Sequence, residues 1–350
     1  MPLSAHNLSA DIQRCDILFA GAGLAGLCMA LEMIRRPFFQ PKTLILVDRD
    51  TKQRNDRTWC FWATDEEPLP PILYHSWQRC RFLAPGFETT FDMAPYQYHM
   101  VRGLDFYRWA DAELGRHPNV RRVTADIHSI TPAQGRLQTS TGVFEGEVVL
   151  NSAFISAPLL PPSPTPLWQP SLTERPESTA LPAPTTLLLQ HFKGWLIETP
   201  APAFDPTTIT FMDFRIEQAG QTRFVYVLPL SDCRALVEFT VFSPALLPAA
   251  DYDAVLRDYL SRWLALPLYR IEEEEFGVIP MADLPFPRQM EERVIHIGTA
   301  GGFVKASSGY AFKRTLRRAR VFAHVWEQQG RPTPTAFPHS PVFTWLYRIL

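Results

Sequence analysis

Two glycine clusters and two carboxylates set in apolar runs carry the spacing that chemistry needs. Gly21-Ala-Gly23-Leu-Ala-Gly26 has the G-x-G-x-x-G pattern. There the first glycine makes a tight turn, the second lets backbone approach a pyrophosphate, and the third lets a helix pack on a strand. The helix that follows offers free N–H groups and partial positive charge to phosphate oxygens. Asp48 stands 22 residues beyond Gly26, at the end of an apolar run. A carboxylate there suits a ribose hydroxyl, and Arg49 beside it is a further cofactor candidate. Gly298, Gly301 and Gly302 form a second glycine-rich turn after Val294-Ile-His-Ile. It reads as a second phosphate or ring contact, or equally as a plain loop. Asp213 in Thr-Phe-Met-Asp-Phe and Glu238 in Ala-Leu-Val-Glu-Phe-Thr are acids inside strand-like runs. By pattern alone Glu238 reads as a carboxylate on a wet strand face. The run Glu272 to Glu275 reads as a solvated face.

The elements that must position these residues follow from periodicity. Asp16 to Ala20 is a short apolar strand, Leu27 to Arg36 a helix stopped by Pro37, and Thr43 to Asp48 a second buried-type strand. Together they make a βαβ unit. A helix ends at Leu114 after starting near Gly103, and Val120 to Asp126 and Val143 to Leu150 read as strands. Leu187 to Glu198, Thr208 to Ile216, Phe224 to Leu230 and Ala235 to Phe242 are β-rich. Helical spacing returns over Asp251 to Trp263 and over Ala311 to Glu327, with a strand at Val294 to Gly298 between them. Nine of the 33 prolines fall between Pro158 and Pro184, which marks a loop or linker.

Composition sets the outer bounds. The 350 residues suit about two domains, and 46% hydrophobic against 20% charged residues is globular composition. The net charge of -2 offers no basic field for nucleic acid. Five cysteines without a C-x-x-C argue against a disulfide framework or a cysteine zinc site, and no metal site is expected. Asp11 precedes the first basic residue, Arg14, so no signal-peptide n-region is expected. The longest apolar run, Ile17 to Leu31, is 15 residues, short of the roughly 20 of a membrane-spanning helix.

Several blocks, in order along most of the chain, carry a family resemblance. They are Asp16 to Gly26, Arg57-Thr-Trp59-Cys-Phe-Trp62, Gln190 to Glu198, Phe211-Met-Asp213-Phe, Phe224 to Leu230, Ala235 to Thr240, Gly277 to Met281 and Gly298 to Tyr310. With them the sequence resembles the flavin-dependent lycopene cyclases of bacteria, nearest the type found in Bacteroidetes, which are related to plant lycopene β-cyclases. The resemblance implies an α/β fold: a Rossmann-like FAD-binding domain with a β-rich substrate domain, as in flavoprotein monooxygenases and geranylgeranyl reductases. It implies FAD, a requirement for reduction by NAD(P)H, and conversion of the linear ends of lycopene to β-ionone rings without net redox change.

Site residues follow from the same resemblance. Its acidic motif falls on Leu236 to Thr240 and makes Glu238 the proton-transferring acid, with Asp213 as alternative acid or base. Phe239 stands where plant members have a second acid, which places a paired-carboxylate mechanism at this motif in doubt. Glu275, two residues before Gly277, also matches a family position. Arg57, Trp59 and Arg102 are expected to contact the cofactor, although Trp59 reads equally as core. Trp195, Phe211, Phe224, Tyr226 and Met281 are expected to line the substrate. Protonating an alkene makes a carbocation, which aromatic faces stabilise by about 0.5–2 kcal/mol each.

The expected organisation is a discontinuous FAD-binding domain from residues 1–60, 100–155 and 280–330, with a β-rich substrate domain from 60–100 and 185–280. A proline-rich loop (156–184) and an apolar C-terminal segment (331–350) complete it. The substrate dissolves only in lipid, so a cytoplasmic enzyme resting on the inner face of the membrane is expected. Five basic residues from Lys313 to Arg320, with Phe303, Trp326 or 343–350, are candidates for that contact, and a solvated helix face is the other reading. A flavin monooxygenase or prenyl-chain reductase, and a carotenoid-binding protein that has lost catalysis, share the same glycines.

Overall fold

Apolar runs of strand length alternate with the turn residues that end them. The computed structural model describes residues 12–64, 66–67, 71–153, 187–282 and 292–333. The proline-rich 156–184 and the apolar 343–350 lie outside the described residues. The chain begins with β1 (Gln13–Ala20), α1 (Leu24–Ile34), β2 (Leu44–Asp48), β3 (Thr58–Thr64), β4 (His75–Trp77) and β5 (Arg79–Ala84). It continues with β6 (Phe87–Asp92), β7 (Tyr96–Arg102), α2 (Gly103–Leu114), β8 (Val120–Thr124), β9 (Ile127–Thr131), β10 (Arg136–Thr139) and β11 (Gly142–Asn151). The second half holds β12 (Leu187–Glu198), β13 (Thr208–Asp213), β14 (Thr222–Pro229), β15 (Arg234–Ser243) and α3 (Ala249–Arg262). β16 (Arg270–Ala282), β17 (Val294–His296) and α4 (Phe312–Gln329) follow.

These strands form three sheets. The first runs β8-β2-β1-β11-β10-β9, with β17 added beside β11. Its centre is parallel: β1 pairs in parallel with β2 and β11, and β11 with β17. Parallel strands are covered on both faces, which is why Leu44 to Val47 is one unbroken buried run. α1 and α4 cover one face around Phe19, Leu27, Met33, Phe322 and Trp326.

The second sheet runs β16-β12-β15-β14-β13-β5-β6. Side chains alternate across it with period two. Trp195, Val225, Val237 and Phe239 face α3, where Tyr252, Leu256 and Tyr259 close a core. Phe224, Tyr226, Leu228 and Leu236 face the other way, onto Trp77, Tyr98 and Met100. Those last three belong to the third sheet, β3-β7-β4. Phe61, Ala63 and Val101 of that small sheet pack instead into the core of α1 and α4. The third sheet therefore sits between the glycine-rich half and the large sheet, and its two faces bind them together.

Several expectations are corrected at this level. The run Glu272 to Glu275 lies in the 13-residue strand β16 and is not one solvated face, because Glu275 is buried. Phe303 and Trp326 are 0% and 3% exposed in the core, so neither reaches a membrane. The cationic face of α4 is also divided: Lys313 binds the Trp62 carbonyl and Glu67, and buried Arg318 donates to the Gly302 carbonyl.

Candidate active site

The glycine turn is built as its spacing requires. Gly21 has φ +96°, and a Cβ there would stand 2.5 Å from the Ser152 hydroxyl oxygen. A Cβ on Gly26 would stand 2.3 Å from the Gly21 carbonyl oxygen, so helix and turn touch as backbone. Gly23 caps α1 with no side-chain hydrogen bond, no acid occupies the first turn, and nothing stands within 4 Å of where its Cβ would be. That leaves an open anion cradle at a helix N-terminus. The Asp48 carboxylate accepts the Ala22 N–H at 2.7 Å and so holds the turn in place, with Arg49 exposed beside it. The second turn meets the first. Gly298 has φ +62° and its Cβ would lie 2.9 Å from Ala25 Cβ, at the start of α1. A Cβ on Gly301 would lie 2.3 Å from the His296 carbonyl oxygen, and Gly302 accepts from Arg318 at 2.9 Å. Residues distant in sequence thus converge on one cradle.

The two acids of the β-rich half lie on opposite faces of the large sheet. Asp213 is fully buried toward α3, where Arg215 forks its carboxylate at 2.8 and 2.6 Å and the Tyr259 hydroxyl donates at 2.7 Å. This placement corrects the expectation of Asp213 as an alternative acid: every lone pair it could use is bound into the link between sheet and helix. Trp195 is corrected for the same reason of strand parity. It is 2% exposed in the core under α3 and lines no site shared with Glu238.

Glu238 points to the other face, and the structure gives it a partner. Gly194 of β12 is paired with Glu238 on one side and Glu275 of β16 on the other. The strands bearing the two acids are about 9–10 Å apart. Their carboxyls meet over the bare glycine: a Cβ at 194 would stand 3.0 Å from Glu275 Cγ and 3.2 Å from its Oε1. The two carboxyls are close enough to act on one another. The Thr58 hydroxyl donates to Glu275 Oε2 at 2.8 Å, and Thr240 to Glu238 Oε1 at 2.9 Å. The paired carboxylate that Phe239 seemed to remove is supplied by a different strand, while Phe239 itself faces α3.

Glu238 is half-buried and Glu275 buried. Removal of water from around the Glu238 carboxyl, and then the neighbouring Glu275, pushes its pKa well above the ordinary carboxylate range. Burial also raises Glu275, against the pull of the Thr58 hydrogen bond. One proton on the pair at neutral pH is the physical result, because two adjacent buried carboxyls cannot both ionise. An aromatic and phenolic wall surrounds them. Tyr226 stands opposite Glu238 across the ladder. Phe211 lies 5.6 Å from Tyr226, 5.6 Å from Tyr98 and 5.4 Å from Trp62. Phe224 packs edge-on to Tyr226 at 5.1 Å. The hydroxyls of Tyr98 and Tyr310 are 3.2 Å apart, and Cys60 lies close enough to feel both acids. Met281 shares this face but lies six residues, about 20 Å, along β16 from Glu275.

Three other expected cofactor residues lie outside the glycine cradle. Trp59 is wedged between α2 and α4, stacked on Phe312 at 5.3 Å and edge-on to Phe106 at 5.5 Å, which is a core contact. Arg57 is exposed and paired with Asp56 at 2.8 Å. Arg102 binds Asp105 at 2.7 Å, lies 4.0 Å over the Tyr74 ring, and lines a recess that Glu275 also lines. Thr58, Tyr98, Gly194 and Tyr310 belong to the site without having been singled out in the sequence. For Gly194, a glycine inside a strand was the available signal, since it marks close approach of another group.

Comparison with known proteins agrees with this architecture. The chain superposes on the geranylgeranyl bacteriochlorophyll reductase-like protein of Thermoplasma acidophilum with TM-score 0.60 at 11% identity, covering 97% of this chain and 83% of that one. The flavin-dependent brominase Bmp2 gives TM-score 0.61 at 11% identity, covering 96% and 83%. The fold is therefore the α/β flavoprotein architecture that the sequence predicts. In sequence, the lycopene beta-cyclase of Pseudescherichia vulneris is 24% identical over 322 residues, 88% of this chain and 73% of that one. The chloroplast and chromoplast lycopene beta cyclase of Capsicum annuum is 32% identical over 145 residues, 38% of this chain, and the match spans only 28% of the plant protein. The profile of the family described as "Lycopene cyclase protein" matches residues 16–342, and the chain belongs to that family.

Proposed function

We propose that the protein is an FAD-dependent lycopene cyclase that isomerises the linear ends of lycopene to β-ionone rings. The observation that carries this reading is the Glu238–Glu275 pair, two acids flanking Gly194 on one sheet face beside an aromatic wall. An apolar alkene is protonated only by an acid that stays protonated at neutral pH and meets the substrate without water. Glu238 is that acid. As its O–H bond breaks, a C–H bond forms at the substrate end. The resulting cation closes the ring by drawing on a second double bond. Loss of a proton from an adjacent carbon returns the electron pair as the ring double bond, so atoms and electrons balance without net oxidation. The faces of Phe211, Tyr226 and Phe224 stabilise the cation without adding to it.

The two glycine turns, with Asp48, are the residues that would hold the dinucleotide. The open N-terminus of α1 fits its pyrophosphate. When bound and reduced by NAD(P)H, the flavin supplies negative charge that favours a nearby cation. The substrate is a hydrocarbon, so the enzyme works as a cytoplasmic protein resting on the inner face of the membrane. Exposed Arg317 and Arg320 of α4 support that contact through attraction to anionic lipid. No helix among the described residues is long and apolar enough to cross a membrane.

The test is expression in cells that accumulate lycopene, beside Glu238→Gln, with pigments separated by chromatography. Cyclic carotenes from the parent and a loss of 10²-fold or more in the variant are expected. Unchanged lycopene from a flavin-loaded parent, with one NAD(P)H consumed per product of another kind, would favour a monooxygenase or reductase on the same fold.

A further inference from the structure

Glu275 and Glu238 flank Gly194 on one sheet face but have different surroundings. Glu275 lines a recess together with Asn55, Thr58, Tyr74, Arg102 and Glu273. Glu238 lies behind it, on the Tyr226 side. Glu275 Oε2 is taken by Thr58. Its buried Oε1 has no donor among the described residues except a proton carried by the pair. Glu275 is thus a buried acceptor beside Glu238. The cyclisation reading gives Glu238 its acid role but assigns nothing to this second carboxyl.

We infer that Glu275 is the positioning partner of Glu238: it acts through Glu238, holding the proton there between turnovers. The inference rests on the cyclisation reading only for its consequence in catalysis. When Glu238 gives its proton to substrate, the pair is left with two negative charges. That makes it a strong base for the proton released as the ring double bond forms, and the original single-proton state is restored. Bare Gly194 is what lets the two carboxyls touch.

The other ionisable groups beside the pair are Cys60 of β3 and Tyr226 of β14, which in turn neighbour Tyr98 of β7 and Tyr310. Glu273 and Asp56 lie on the Glu275 side. Burial holds the Cys60 thiol and the Tyr98 and Tyr226 phenols well above their ordinary values, and pushes Tyr310 up to about 12. None of those four ionises near neutrality, and all six groups are kept in the variants below.

The experiment is infrared titration of the carboxyl C=O stretch in the flavin-loaded parent, Glu238→Gln, Glu275→Gln and Gly194→Ala, alongside the pH dependence of cyclisation. A protonated-carboxyl band present at pH 7 in the parent and missing in Glu238→Gln is expected. In Glu275→Gln the band titrates at least one pH unit lower, because the charge opposing ionisation of Glu238 is gone. The alkaline limb of the rate profile moves down with it. Gly194→Ala keeps both carboxyls, forces them apart, and shifts the band the same way; it carries the test if Glu275→Gln fails to fold. An unmoved band and limb in the folded variants, or no such band in the parent, overturns the inference. A band that behaves as expected in a protein that makes no cyclic product supports the inference and overturns the cyclisation reading instead.

Discussion

Tyr226 stands directly opposite Glu238 across the β14–β15 ladder, with Phe211 and Phe224 edge-on to its ring at 5.6 and 5.1 Å. An acid and an aromatic face in one ladder pair put the proton source beside a group that favours positive charge without attacking it. Burial keeps the phenol itself protonated. Replacing Tyr226 with Leu removes a quadrupole worth about 0.5–2 kcal/mol, so cyclisation should slow by roughly 2- to 30-fold. Tyr226→Phe should lose less. Initial rates of cyclic carotene formation by the two variants check the order.

Gly26→Ala should abolish flavin uptake. The added Cβ would sit 2.3 Å from the Gly21 carbonyl oxygen, and neither backbone can yield without opening the turn. Flavin absorbance in the purified variant is the measurement, with the parent handled in parallel. Gly23→Ala, which meets nothing in the protein within 4 Å, should fold normally and lose affinity only through contact with the cofactor.

Asp213 and Trp195 should prove to be stability residues. Asp213→Ala leaves Arg215 and the Tyr259 hydroxyl unpaired and should cost about 3–5 kcal/mol in urea unfolding. Trp195→Phe should cost less than about 1.5 kcal/mol and leave the product pattern unchanged. A product pattern altered by Trp195→Phe in a stable protein would show that this face contacts substrate.

Acid should destabilise the fold through His191. Its ring is 0% exposed between the Ser243 hydroxyl at 2.8 Å and the Tyr252 hydroxyl at 2.6 Å, and burial lowers its pKa to about 4 from 6.5. Between those values the unfolded chain binds more proton than the native one, so stability is full above about pH 6.5 and falls as pH drops toward 4. The loss is on the order of 3 kcal/mol at the acid end. Denaturation midpoints across that range should fall steeply in the parent and less steeply in His191→Gln.

The glycine-rich half was legible in the sequence because its chemistry is local. Gly21, Gly23, Gly26 and Asp48 act within one βαβ unit, and their spacing alone implies the turn. The acid pair was not legible in the same way. Glu275 hides in a run of four acids that strand geometry sorts to separate partners. Glu272 goes to Arg234, Glu273 to Asn55, Glu274 to Lys193 and Glu275 to the pair. Alternation shows that Phe239 points away from Glu238, but parity within one strand says nothing of its neighbours. Asp213 and Trp195 therefore looked as suitable as Phe211 until pairing fixed their faces. Arg215, two residues beyond Asp213, was the one local hint of a structural ion pair.

Gly194 ties this chemistry to assembly. Glu238, Gly194 and Glu275 come from three neighbouring strands, and each must be aligned to the residue for the acids to meet. A slip of one position turns an acid to the opposite face and presents a side chain where the gap was. A chain folded with β12 or β16 out of step could keep its helices, its cofactor and its solubility, yet would be inert. The site thereby acts as its own proofreader of sheet alignment, and specific activity per bound flavin measures the fraction of molecules that paired correctly.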